Sequence, residues 1–206
     1  VVPIFGAYVE RIMINFTDPR KETAAGERSS TRFPHPILTD KSVRQALNLS
    51  VDREKIAALY GRTGKATANL LVAPSIYASP NTSYKFDLSK ATALLDQAGW
   101  VDSDGDGIRD KGGVPLSFEF QTNINPIRQR IQEIVKQDWE SIGIQIENKM
   151  IDSSVFFGTD PDNPNTSDHF YSDLEGYAWG NKTPDPGAYM RAYTCSESAQ
   201  MANEWS

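Results

Sequence analysis

The sequence predicts an α/β domain, a mixed sheet flanked by helices. Two observations carry that prediction. Strand-like and helix-like periods alternate along the chain. Residues 116–150 read strand, helix, strand, a βαβ unit whose crossover should be right-handed. The 206 residues, 39% hydrophobic and 23% charged, suit one sizeable globular core rather than a disordered chain.

The elements follow in order. Residues 11–17 alternate, with Ile12, Ile14 and Phe16 on one side and Arg11, Met13 and Asn15 on the other, which predicts a half-buried strand. Residues 18–38 are rich in Pro, Gly, Ser and charge and read as a long loop. Asp40 is placed to cap a helix carrying Val43, Ala46, Leu47 and Val51 at helical spacing. Asp52 caps a second, with Ile56 and Leu59 inward and Gly61 as the stop. After an irregular stretch over 62–86, Asp87 caps a helix striped by Leu88, Ala91, Leu94 and Leu95 and ended by Gly99.

The βαβ unit follows. Leu116, Phe118 and Phe120 alternate with Ser117 and Glu119, the mark of a strand. Asn125 and Pro126 form a cap and first turn. The helix they open carries Ile127, Ile131, Ile134, Val135, Trp139 and Ile142, and Gly143 closes it. Ile144, Ile146, Asn148 and Met150 predict the second strand. A polar surface loop is expected over 158–172, a short strand over 173–180, and a last helix from Pro184 through Tyr193.

Composition excludes several classes. Net charge is −6, the reverse of the basic surplus expected of a nucleic-acid binder. No apolar run approaches the ~20 residues that span a bilayer. Cys195 is the single cysteine, so no intrachain disulfide forms and a cysteine zinc site is disfavoured. His35 and His169 are far apart and outside any HExxH motif, and each reads as a surface or hydrogen-bonded histidine. The chain opens without an initiator Met or a charged leader, as an excised segment would.

Two features could carry chemistry. The run Asp102-Ser-Asp104-Gly-Asp106-Gly-Ile108-Arg-Asp110 places carboxylates at loop positions one, three, five and nine, with the Ile108 carbonyl at seven. Calcium, a hard cation, takes six to eight oxygens, and such spacing wraps oxygens around one point. Position twelve is Gly113 rather than the Glu of an EF-hand, which leaves a shorter calcium loop or a plain acidic turn. Any ion there would staple the loop rather than catalyse. The second feature is aromatic: Phe156, Phe157, Phe170, Tyr171, Tyr177, Trp179, Tyr189 and Tyr193 crowd the last quarter. Flat rings amid Gly, Asn and Pro suit a binding cleft, although rings also fill cores under loops. Trp179 stands out, between Gly176 and Gly180 and beside Asn181 and Lys182.

The run HPILTDKSVRQALNLSVDREKIAALYG (35–61) resembles a signature of extracellular solute-binding proteins of ABC transporters, in the peptide/nickel class called family five. KFDLSKATALLDQAGW (85–100), DSDGDGIRDKGG (102–113) and IVKQDWESIGIQIE (134–147) extend the resemblance in the right order. It implies one lobe, residues 1–206, of a two-lobed clamp: a periplasmic-binding-protein-like class II C-terminal lobe, with 1–34 as hinge-proximal strand and loop. It implies a fragment of a longer protein, broken in mid-motif at 202–206. It also implies a peptide or other small solute as ligand, an ABC permease as partner, no nucleic acid, no catalysis, and a periplasmic or extracellular location, with or without a lipid anchor. Ligand contacts are implied at Tyr177, Trp179, Asn181 and Lys182. Peptide-binding members often carry an Asp three residues after this tryptophan. Here Lys182 stands there, which speaks against pairing with a peptide's amino terminus and for a neutral or acidic ligand, unless Asp185 takes the role. The alternatives are a calcium-assisted hydrolase using the loop aspartates and a calcium-stabilised extracellular interaction module.

Overall fold

A computed structural model describes residues 5–160, 162–198 and 200. Its centre is a four-stranded sheet in the order β1-β6-β4-β5, formed by β1 (Tyr8–Ile14), β4 (Ser117–Asn123), β5 (Gln145–Ile151) and β6 (Leu174–Gly180). β4 runs parallel to both β5 and β6, while β1 is antiparallel to β6, so the sheet is mixed. The strand–helix–strand reading of 116–150 holds: β4 leads through α4 (Pro126–Glu140) to its parallel neighbour β5.

The caps form as the sequence anticipates. Asp40 accepts the Ser42 amide ahead of α1 (Lys41–Leu49). Asp52 accepts from Lys55 ahead of α2 (Arg53–Ala58), and Asp87 from Lys90 ahead of α3 (Leu88–Gln97). Asn125 accepts from Ile127 and Arg128 at the start of α4. Each bond satisfies a helix-end donor and contributes about 1 kcal/mol.

Alternation divides the sheet into two faces. Phe118, Phe120, Ile146 and Leu174 point to the helical layer, where they join Val43, Leu47, Leu95, Trp100, Val135 and Trp139 in one buried core. Each such side chain contributes roughly 1.5–3 kcal/mol by leaving water. The opposite face carries Arg11, Gln121, Glu175, Tyr177 and Trp179.

Several expectations need correction. The first strand starts earlier, at Tyr8, and ends at Ile14. Phe16 is 55% exposed while Asn15 is buried. The alternation breaks there because Asn15 donates to the carbonyls of Phe170 and Ser172, and its amide donates to the Asp173 carbonyl. The last helix, α6 (Gly187–Arg191), begins three residues after Pro184 and ends before Tyr193. Asp185 holds the turn before it by accepting the Gly187 amide at 2.6 Å. The acidic stretch is not all loop. β2 (Asp110–Lys111) and β3 (Val114–Pro115) pair across Gly112 and Gly113, whose φ values of +60° and +77° suit a tight primed turn. Residues 201–206 lie outside the described residues.

Candidate ligand-binding site

The connections from β4 and β6 leave on opposite faces of the sheet. β4 continues into α4, whose Trp139 packs on Phe120 of the core face. β6 continues into α6, whose Tyr189 meets Trp179 on the other face at 4.9 Å between ring centroids. The carboxyl ends of adjacent parallel strands whose connections diverge in this way are the preferred ligand position of open α/β sheets. β6 pairs with β4 only through Gly176, so Tyr177–Gly180 runs on with β1 as its sole strand partner.

Arg11 lies in this region. In register it opposes Tyr177, and its neighbour Val9 opposes Trp179. Its guanidinium carbon sits 4.8 Å from the Trp179 ring centre, 5.3 Å from Tyr177, 5.6 Å from Tyr193 and 6.0 Å from Tyr189. Four electron-rich faces thus surround one cation. Nη1 donates to the Tyr189 hydroxyl at 3.0 Å and also to that of Tyr193. Nε and Nη2 are buried and have no hydrogen-bond partner. The strand reading put Arg11 on the side away from the core, which holds, but its aromatic enclosure was not anticipated.

The other expected residues separate. Tyr177 stacks edge-on against Phe156 and Phe157, the rings of α5 (Ser153–Phe156) and the residue after it. Burial raises its phenol, with the Glu175 carboxyl adding to the effect and the Arg11 charge and hydrogen bond opposing it. Asn181 is buried and bonds the Thr183 carbonyl and amide, so both ends of its side chain serve its own loop. Lys182 is exposed.

Beneath Tyr177, Glu175 is buried, accepting from Gln121 Nε2 at 2.6 Å. Burial holds its carboxyl well above the usual carboxylate range, outweighing the Gln121 hydrogen bond. At the opposite end of β6, Asp173 is fully enclosed. Arg20 donates to both of its oxygens at 2.6 and 2.7 Å, and the Glu119 amide donates at 2.7 Å. Burial alone would raise this carboxyl, but the bonds from Arg20, His35 and Glu119 prevail and hold it at about 2. Both histidines are hydrogen-bonded, His35 to Asp173 and His169 to Thr166.

The acidic loop brings Asp102, Asp104 and Asp106 together, with ligand oxygens within 4.8 Å of one another. Asp110 does not join them. It turns to the amide and hydroxyl of Ser103 because it opens β2. The Ile108 amide donates to Asp106 Oδ1, while Asp102 accepts from the amides of Gly105 and Gly107. The loop is closed by its own backbone.

This mixed α/β fold, with an aromatic cluster where the strand connections diverge, is of the kind found in solute receptors. The chain belongs to the bacterial extracellular solute-binding proteins, family 5 Middle, whose family model matches residues 6–200. It is 32% identical over 124 residues to the oligopeptide-binding protein AppA of Bacillus subtilis, a match covering 58% of this chain and 23% of that protein. It is 36% identical over 110 residues to the nickel-binding periplasmic protein of Escherichia coli, covering 51% of this chain and 21% of that one. The solved structure of AppA with a nonapeptide superposes with a TM-score of 0.65 at 25% identity, covering 89% of this chain and 34% of that one. NikZ of Campylobacter jejuni with Ni(L-His) shares the fold, at TM-score 0.73 and 22% identity, over 97% of this chain and 35% of its own. The present chain therefore spans about a third of the length of these solved relatives. Among the described residues no helix is long and apolar enough to cross a membrane.

Proposed function

We propose that this chain is the C-terminal lobe of a two-lobed receptor that delivers a peptide or another small solute to an ABC importer. The supporting observation is the divergence of the connections after the parallel strands β4 and β6, with Trp179, Tyr177 and Arg11 clustered beside it. Closure of a second lobe over that edge by hinge motion would complete the site. Tyr177 and Trp179 are its aromatic contacts, Lys182 is a cation at its rim, and Asn181 shapes the loop between them. The receptor works outside the cytoplasmic membrane, either free or lipid-anchored.

No reaction is assigned to it. A hydrolase reading would look first to His35 and Asp173. Yet His35 Nδ1 accepts the amides of Ile37 and Leu38, and Nε2 faces Asp173, so neither ring nitrogen is left to activate a nucleophile.

The test is a titration of the full-length protein and of this lobe with peptides and nickel chelates, followed by tryptophan fluorescence. Tight, saturable binding by the full-length protein and weak binding by the lobe is expected. Equal tight binding by both would remove the two-lobe account.

Calcium at Asp102, Asp104 and Asp106 is a second, purely structural proposal, supported by the convergence of their oxygens. Asp110 and Ile108 are left outside it.

A further inference from the structure

An arginine offers two bidentate edges, and the side-on edge of Nε and Nη2 matches a carboxylate in its own plane. Arg128 shows that edge filled: its Nε donates to Glu10 Oε1 at 2.7 Å and its Nη2 to Oε2 at 3.3 Å. Arg20 likewise places two nitrogens on Asp173. Arg11 differs. Its Nε and Nη2 are both buried and unpartnered, and among the described residues no carboxylate forms an ion pair with it. Nη1 is engaged by the Tyr189 and Tyr193 phenols, and the Tyr177 phenol also takes a hydrogen bond from the same guanidinium. A buried donor without an acceptor is costly, so an empty fork of two is an unusual thing to hold rigidly among four rings.

We propose that Arg11 is the anchor for a carboxylate on the bound solute, received side-on by Nε and Nη2. This rests on the solute-receptor reading above and narrows its ligand to an acidic one. Arg11 is brought beside Trp179 and Tyr177 by β1, the antiparallel neighbour of their strand. The four surrounding rings leave room for a flat group such as a carboxylate before a bulkier one. Because the fork is shielded from solvent, the incoming group displaces part of the aromatic cover. Tyr193, at 38% exposure the most open of the four rings, is the wall that yields. The acid then fills the Nε and Nη2 edge, while Tyr189 keeps its bond to Nη1. Lys182, where an acid would suit an ammonium group, favours the same sign of ligand.

The experiment uses the full-length protein, wild type and the variants Arg11→Met and Arg11→Lys. Solute retained through purification is released by denaturation and identified by mass spectrometry. Succinate and its uncharged diamide, succinamide, are then titrated by calorimetry. The expected result is a retained solute bearing a carboxylate and at least 10-fold tighter binding of succinate than of succinamide. Arg11→Met should abolish that preference. Arg11→Lys, which keeps the charge but loses the fork, should restore only part of it. If the methionine variant does not fold, the lysine variant alone gives the readout. A wild type that treats the two probes alike, or an Arg11→Met or Arg11→Lys protein with the full preference, overturns the anchor. Binding of uncharged solutes without regard to Arg11 leaves the receptor reading intact and removes only the anchor. A protein that binds no solute at all removes both.

Discussion

His35 and Asp173 are joined by a buried 2.8 Å hydrogen bond whose direction is fixed from the far side of the ring. The amides of Ile37 and Leu38 donate to Nδ1 at 3.0 and 2.9 Å, so Nε2 carries the proton and donates to Asp173. The same carboxylate receives Arg20 and the Glu119 amide. It thereby ties the loop between β1 and α1 to the start of β6 and the edge of β4.

Asp173→Asn should therefore destabilise the protein. Asparagine has one acceptor oxygen, and its amide group would face a donor on the other side. A loss of about 2–4 kcal/mol is expected. The check is urea unfolding at neutral pH. A variant within 0.5 kcal/mol of wild type would mean that the network only decorates the loop.

The two β6 carboxyls should give opposite pH dependences. Asp173, held at about 2 in the fold, lies below its unfolded value of about 4. Its contribution is present above that unfolded value and is lost as pH falls from about 4 through about 2. Glu175 is raised, so the folded state binds its proton more tightly than the unfolded state does. Stability then declines as pH rises above about 4.5, the ordinary glutamate range. Glu175→Gln keeps an acceptor for Gln121 and removes that decline. It should match wild type near pH 4 and exceed it at pH 7. Unfolding free energies that differ equally at both pH values would contradict this.

Gly180→Ala should loosen the edge that carries Trp179. A Cβ at Gly180 would come within 2.2 Å of the Ala7 carbonyl oxygen, and backbone cannot swing aside as a side-chain tip can. The expected cost is about 1–3 kcal/mol, with weaker solute binding because β1 and β6 must separate locally. Thermal unfolding and ligand titration check both effects. An unchanged melting temperature would show that the strands adjust freely.

Calcium should raise the melting temperature of metal-free protein by a few degrees, and Asp104→Asn should reduce that rise. Should millimolar calcium leave the melting temperature alone, the acidic loop is a self-closed turn and the staple is discarded.

What could be read in advance was local chemistry. Asp40, Asp52, Asp87 and Asn125 cap helices through bonds to amides two or three residues away, so composition and spacing reveal them. The alternation of Leu116, Phe118 and Phe120 likewise follows from one strand lying over one core. Arg11 was harder, because its meaning depends on Tyr189 and Tyr193, 178 and 182 residues away. Asp173 meets Arg20 and His35 across separations of 153 and 138 residues. Neither neighbourhood leaves a local pattern. Phe16 kept the apparent strand period and still turned outward, since Asn15 had stronger bonds to make on the other side.

The pairing of β1 with β6 has a consequence for how the chain is made. Among the described residues Tyr8–Ile14 finds its one partner strand in Leu174–Gly180, far along the sequence. During synthesis β1 therefore emerges long before β6 exists to cover its edge, and such edges invite mispairing. The closure of that long loop sets a slow folding step. Leu174, which completes the core, and Tyr189 and Tyr193, which complete the Arg11 enclosure, come from one late stretch, so a nascent chain closes its core and its site together.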